Sequence, residues 1–221
     1  MDNNYDPFGN IISTPEMENI VNTSRAEIVE PVTRVTDVSQ LRSPLAEQLM
    51  GKHLNRKGLS GLDSSEARNL LYDFALRVGR AESSGNPTAK NKPLKGKQAS
   101  TATGLYQFLV GTGGGQSALQ TAVKRAKKRI DAPWLDQVYK SGKVEDLTAD
   151  QQTVLFLGDI LEKSGSDDLV KMLVDPNSSE VDRDRARIMM YLKLHHTAVP
   201  GKQLDEAIVK NAKREILGIP D

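Results

Sequence analysis

The sequence predicts a mainly α-helical domain with at most one small β-hairpin, preceded by an extended N-terminal arm. Three observations carry that expectation. From residue 42 onward apolar side chains recur with a period near 3.6 in one segment after another, and most of these segments are bounded by capping residues. Sustained alternation of apolar and polar residues, the mark of a half-buried strand, is missing. Residues 1–41 show neither period.

That first stretch mixes Asn, Thr, Pro, Glu and isolated valines, and it reads as an arm, extended or disordered, without a fold of its own. Up to residue 40 it holds Asp2, Asp6, Glu16, Glu18, Glu27, Glu30 and Asp37 against Arg25 and Arg34. The whole chain has a net charge of +1, so the body from residue 42 to 221 is mildly basic. Such an arm is expected to be held by something, either the body of the chain or a neighbouring subunit, another protein of a particle or a copy of the same chain.

Ser43 as cap and Pro44 at the first helical position open a helix that runs towards His53. Asp63, with Glu66 three residues on, opens a stronger one in which Ala67, Leu70, Leu71, Phe74, Ala75 and Val78 form a single stripe. Glu82 follows about one turn after Val78, at the edge of whatever that stripe buries. A helix over residues 116–130 buries Leu119, Ala122, Val123, Ala126 and Ile130 and turns Lys124, Arg125, Lys127, Lys128 and Arg129 outwards. That run is read as a solvated face, because no aromatic platform or recognition motif accompanies it, and no specific nucleic-acid partner is expected. Thr148 and Gln151 make a capping box for a helix through Val154, Leu155, Leu157, Ile160 and Leu161 that stops near Gly165. Helices over residues 167–174, 181–196 and 203–217 complete the set, the last with Gly218 just past its end. Any hairpin falls around residues 95–107.

At 221 residues the chain has room for one domain of about 150–180 residues plus the arm, enough to bury a core without staples. Cysteine is absent, which excludes disulfides and thiolate metal ligands and leaves the redox compartment open. No apolar run approaches the roughly 18–20 residues that span a bilayer, so no membrane span is expected. The start at Met1 has neither a basic nor an apolar region, and no secretory signal is expected.

Two motifs carry chemistry. The first is Glu82-Ser83-Ser84-Gly85-Asn86-Pro87-Thr88-Ala89, a carboxylate at a helix end followed by a tight turn. The second is Ser100-Thr101-Ala102-Thr103-Gly104-Leu105-Tyr106-Gln107, in which Gly104 permits close backbone approach and Gln107 offers both a donor and an acceptor. Cleaving a glycosidic bond needs a proton given to the departing oxygen while positive charge develops on the sugar ring. Glu82 is the candidate donor, and burial at the end of an apolar helix is expected to favour its protonated form.

Together the motifs resemble the lytic transglycosylases of the soluble, goose-lysozyme-like type, whose first motif is Glu-Ser and whose second is Gly-Leu-x-Gln. The resemblance is clear over residues 63–110 and implies a lysozyme-like helical domain over residues 42–221. It implies Glu82 as the catalytic acid, Ser83 as a cap or a holder of the carboxylate, and Gln107 at the substrate wall. Tyr106 stands where the family has methionine, and its ring either stacks on a sugar or packs in the core. The family's third motif, Ala-Tyr-Asn, has its nearest counterpart at Tyr191. The family's Thr-Trp pair is missing: Thr112 is followed by Gly113, Gly114 and Gly115, and the only tryptophan is Trp134.

The resemblance implies a single-acid reaction that consumes no water. The acid protonates the leaving oxygen and then takes the proton of the muramyl 6-hydroxyl as a 1,6-anhydro ring closes. No second carboxylate lies in or between the motifs, although Asp73, Asp131, Asp136 and Asp159 could approach in space. Lys90, Lys92, Lys95 and Lys97 between the motifs form either a basic loop over the cleft or a solvated insertion. Adjacent His195 and His196 point about 100° apart on a helix and lack a fitting partner by spacing, so no metal and no cofactor are expected, and one of them is expected to line the cleft. The expected setting is a phage particle that opens the host wall in the periplasm, with peptidoglycan glycan strands as substrate. The alternatives are a structural virion or tail protein with a vestigial form of this fold, and a lysozyme-like hydrolase using the same Glu82.

Overall fold

The computed structural model describes residues 33–56, 58–90, 102–110, 117–196 and 206–219. The chain divides after Thr33, and the unit from Arg34 onward carries the described elements. It is mainly α-helical, as predicted. The helices are α1 (Pro44–Leu54), α2 (Ser65–Ser83), α3 (Ala118–Lys127), α4 (Pro133–Ser141), α5 (Ala149–Leu161), α6 (Ser166–Val174), α7 (Glu180–Met189) and α8 (Glu206–Asn211). Both α7 and α8 run on into π-helical turns, Met190–His195 and Ala212–Ile216.

Local sequence accounts for most of these starts. Ser43 Oγ accepts from the Ala46 amide ahead of Pro44, and Ser117 with Gln120 forms a reciprocal capping box for α3. At α2 the cap is Ser64, one residue later than the sequence indicates. Asp63 is turned aside by the Arg68 guanidinium, which donates from Nε and Nη2 to the two carboxylate oxygens at 2.8 Å each. Helix α4 is not foreseen from sequence, because its buried positions are only Leu135 and Val138, too few to display a period.

Helix α5 is the centre of the fold. Gln152, Thr153, Val154, Leu155, Phe156, Leu157, Ile160 and Leu161 are all buried, so it is enclosed on every side, with α1 and α3 packed along it. A methyl at Gly158 would stand 2.9 Å from the Ala126 side chain, so α3 and α5 are in close contact there. The predicted apolar stripe of α2 is buried except at one position: Ala67, Leu71, Phe74, Ala75 and Val78 are fully covered, and Leu70 is partly buried against the core.

Three expectations change. The hairpin lies at β1 (Ala102–Thr103) and β2 (Phe108–Leu109), with Ala102 opposite Leu109 and Thr103 opposite Phe108. The predicted arm is too long at its C-terminal end. Val35 and Leu41 are buried in the core, the Val35 amide donates to the Gly85 carbonyl at 2.7 Å, and Val38–Leu41 forms a 3-10 turn capped by Asp37. Residues 1–32 lie outside the described residues. The basic run on α3 is largely paired with carboxylates: Arg125 bonds Asp159, Lys127 Nζ lies 2.6 Å from Asp136, and Arg129 Nη2 lies 2.7 Å from Glu162. Among the described residues no helix is long and apolar enough to cross a membrane.

Candidate active site

Glu82 occupies the last turn of α2, and the helix ends at Ser83 because Ser84 takes the left-handed conformation at φ 55°. Gly85 follows at φ 78°, and a methyl there would lie 2.5 Å from the Val35 carbonyl oxygen. Any other residue at position 85 would break that contact, so the chain leaves the helix in one direction only. The Asn86 side-chain oxygen then accepts from the Thr88 amide at 2.9 Å and closes the turn.

Three side chains, Tyr191 and His195 from the π-helical turn at the end of α7 and His196 just past it, converge on one oxygen of Glu82. The Tyr191 hydroxyl donates to Oε1 at 2.7 Å, His196 Nε2 lies 2.9 Å from the same atom, and His195 Nε2 lies at 3.7 Å. The side chains of Glu82, His195 and His196 are only 12%, 14% and 18% exposed, so the cluster is shielded but reachable. Burial, the largest single influence, pushes the Glu82 carboxyl up. Hydrogen bonds and charge from His195 and His196 outweigh it and hold the group well below the usual carboxylate range. Glu82 is therefore a carboxylate at rest, which corrects the expectation of a protonated acid. Burial and the Glu82 charge push the Tyr191 phenol up, so Tyr191 acts as a donor.

The second motif forms the facing wall. Gly104 sits at φ 82°, and a side chain there would collide with Val144 Cγ1 at 2.5 Å and Gln152 Oε1 at 2.6 Å. Gln152, wholly buried in α5, joins the two motifs. Its Oε1 accepts from the Leu105 amide at 2.7 Å, and its Nε2 donates to the Pro87 carbonyl at 2.9 Å and the Leu147 carbonyl at 3.0 Å. The Gly104 amide donates to the Ala89 carbonyl at 2.8 Å, which aligns the turn after Glu82 with the hairpin. Between these walls lies a cleft of about 500 Å³ lined by Glu82, Gln107, Phe108, Leu109, Phe156, Asp159, Lys163, His195 and His196, among others. That volume suits a ligand of a few sugar rings.

Of the residues singled out in the sequence, Glu82, Tyr106, Gln107, His195 and His196 line this cleft, and the Tyr191 hydroxyl bonds the carboxylate. Gln107 is held at φ 49°, its Nε2 donates to the Gly104 carbonyl at 2.9 Å, and its Oε1 is buried without a hydrogen-bond partner among the described residues. For Ser83 the first of the two alternatives is found: its hydroxyl donates to the Gly79 carbonyl at 2.9 Å, one helical turn back, and so bonds local backbone instead of the carboxylate. For Tyr106 the structure favours the second alternative, packing in the core. Its ring is wholly buried, stacked on Phe156 at 4.3 Å and 9°, and its hydroxyl is 2.7 Å from Thr153 Oγ1. Lys90 pairs with Glu145 at 3.0 Å, whereas Lys92, Lys95, Lys97 and Ser100 lie outside the described residues.

The premise that the two histidines lack a partner within reach is also corrected. A π-helical turn winds more residues per turn than an α-helix, so neighbouring side chains diverge less, and both imidazoles reach Glu82. Asp159 is the one of the four distant aspartates that lines the cleft, yet it is engaged by Arg125 and by Lys163 Nζ at 2.6 Å. Gln152 gave no signal in sequence beyond a polar residue inside an apolar helix. Comparison with family models, with curated proteins and with solved structures finds no match to this chain.

Proposed function

We propose that the protein is a peptidoglycan lytic transglycosylase that cuts between N-acetylmuramic acid and N-acetylglucosamine, with Glu82 as the group that moves the proton. The observation that carries this reading is the Glu82 carboxylate, shielded on one wall of a 500 Å³ cleft that Gln107 also lines and hydrogen-bonded by Tyr191 and His196. The motif resemblance to soluble lytic transglycosylases supports it, and a phage particle that opens the host wall is the setting proposed for it.

The chemistry follows from the cluster. His196 Nε2 and Glu82 Oε1, 2.9 Å apart, hold a proton between them, and passing it through Oε1 delivers it to the leaving glycosidic oxygen. The C1–O bond breaks, and the muramyl 6-hydroxyl attacks C1 from within the same sugar. The carboxylate, which its partners favour, accepts the hydroxyl proton and the pair returns to its starting state. The unpartnered Gln107 Oε1 suits an N-acetyl N–H donor. Hydrolysis by two carboxylates is the weaker reading, since Asp159 is held in two ion pairs.

The test is digestion of purified sacculi by the wild-type protein and by Glu82→Gln, with the products read by mass spectrometry. Anhydromuramyl ends, one water lighter than reducing ends, are expected from the wild type alone. Reducing ends would assign the protein to the hydrolases, and equal release by the variant would remove Glu82 from the reaction.

A further inference from the structure

We propose that Glu82, His195 and His196 form a binding site for a transition-metal dication of the zinc type. The three residues each offer a ligand atom, and all of these atoms lie within 4.8 Å of one another. Two of the separations are known individually, 2.9 Å from Glu82 Oε1 to His196 Nε2 and 3.7 Å from Oε1 to His195 Nε2. Zinc binds imidazole nitrogen at about 2.0–2.1 Å and carboxylate oxygen at about 2.0–2.2 Å, which sets tetrahedral ligands about 3.4 Å apart. An ion therefore fits between these atoms with side-chain shifts of under about 1 Å, and no backbone change is needed.

The surroundings favour such an ion. Two imidazoles and one carboxylate select zinc, nickel, cobalt or copper over magnesium and calcium, which prefer all-oxygen shells. The Tyr191 hydroxyl donates to the ligating carboxylate, the kind of outer contact that fixes a ligand's orientation. The His195 ring is fixed as well, near-parallel to Tyr191 at 5.9 Å and edge-on to Phe156 at 5.7 Å. Among the described residues the nearest cation in the cleft, Lys163, is committed to Asp159 and to the Leu194 carbonyl, so it leaves Glu82 free for a metal. The cluster opens on the cleft, which supplies both an entry path and room for water to complete the coordination.

Binding has a consequence that rests on the function proposed above: a metal on Glu82 takes the oxygen that would carry the proton, and the zinc-loaded protein is held off. Zinc release is then the switch that starts wall cleavage.

Binding and activity are tested separately on the full chain after chelator treatment. Calorimetric titration with zinc chloride should show one ion per chain, while magnesium chloride shows none. His195→Ala and His196→Ala should each weaken zinc binding at least tenfold, while Asp136→Asn, on the outer face of α4, leaves it unchanged. Should either histidine variant fold poorly, the wild type alone decides. The chain has three histidines, and zinc should shift the imidazole NMR signals of two of them and leave the buried His53 in place. Absence of stoichiometric binding, or binding that leaves His195 and His196 unshifted, overturns the site. If zinc binds but the zinc-free protein does not cut sacculi, the metal site stands and the transglycosylase reading falls. If the zinc-free protein cuts and zinc does not bind, the reverse holds.

Discussion

The Tyr191 hydroxyl lies 2.7 Å from Glu82 Oε1, although 109 residues separate the two along the chain. That bond holds a carboxylate that lines the cleft, and the π-helical turn that carries Tyr191 also carries His195 and ends on His196. Tyr191→Phe removes that one hydrogen bond and leaves the ring packing in place. Hydrogen bonds to charged groups contribute about 1.5–3 kcal/mol, so turnover of sacculi should fall by about 10–100-fold with the helical circular dichroism unchanged. Dye release from labelled peptidoglycan measures it, and an unaltered rate would show that Tyr191 does not position Glu82.

Gln152 connects the turn after Glu82 to the hairpin. Replacing it by Leu leaves the Leu105 amide and the Pro87 carbonyl without their partners in a buried place. Urea unfolding should show a loss of about 2–4 kcal/mol. The same variant should cut poorly, because Gln107 and Glu82 are set by the two segments that Gln152 joins.

Gly104→Ala tests the same wall by steric means. The added methyl would meet Val144 Cγ1 at 2.5 Å and Gln152 Oε1 at 2.6 Å, at a φ of 82° that L-residues avoid. Overpacking of this kind costs about 1–3 kcal/mol, and a lowered melting temperature is the expected readout.

Asp159→Asn separates one-acid from two-acid chemistry. The variant weakens the ion pairs to Arg125 and Lys163. It should retain activity within about tenfold of the wild type, whereas loss of a required second carboxylate costs far more. Comparing initial rates on sacculi distinguishes the two.

His53 sets a pH dependence of stability. It is 1% exposed in α1, and burial pushes its pKa below the ordinary histidine value, with Asp167 at 3.3 Å offsetting part of the effect. Arg129 opposes the proton and Glu162 favours it, each from further away. The unfolded chain then binds more protons than the folded one once the pH drops below about 6.5, so stability is full above that pH and declines as the solution is acidified towards the folded-state pKa. Urea midpoints of the wild type should fall between pH 7 and 5 more steeply than those of His53→Leu.

Much of the fold was legible because helices announce themselves locally. The stripe from Ala67 to Val78, the Ser43-Pro44 start and the Thr148-Gln151 pair each express a period or a cap within a few residues. Where the reading slipped, a contact between distant residues had intervened. Arg68 drew Asp63 away from the cap position, Phe156 covered the Tyr106 ring, and Gly85 held Val35 against the body.

By itself the sequence determined that the chain is mainly helical, that Glu82 ends an amphipathic helix and that Gly104 stands at a tight place in the second motif, because periodicity, capping and backbone freedom are properties of neighbours in the chain. Only the tertiary structure decided the charge state and company of Glu82. Its pKa depends on burial and on His195, His196 and Tyr191, which approach it through the packing of α7 against the rest of the bundle, and distance in space is not written in the order of residues.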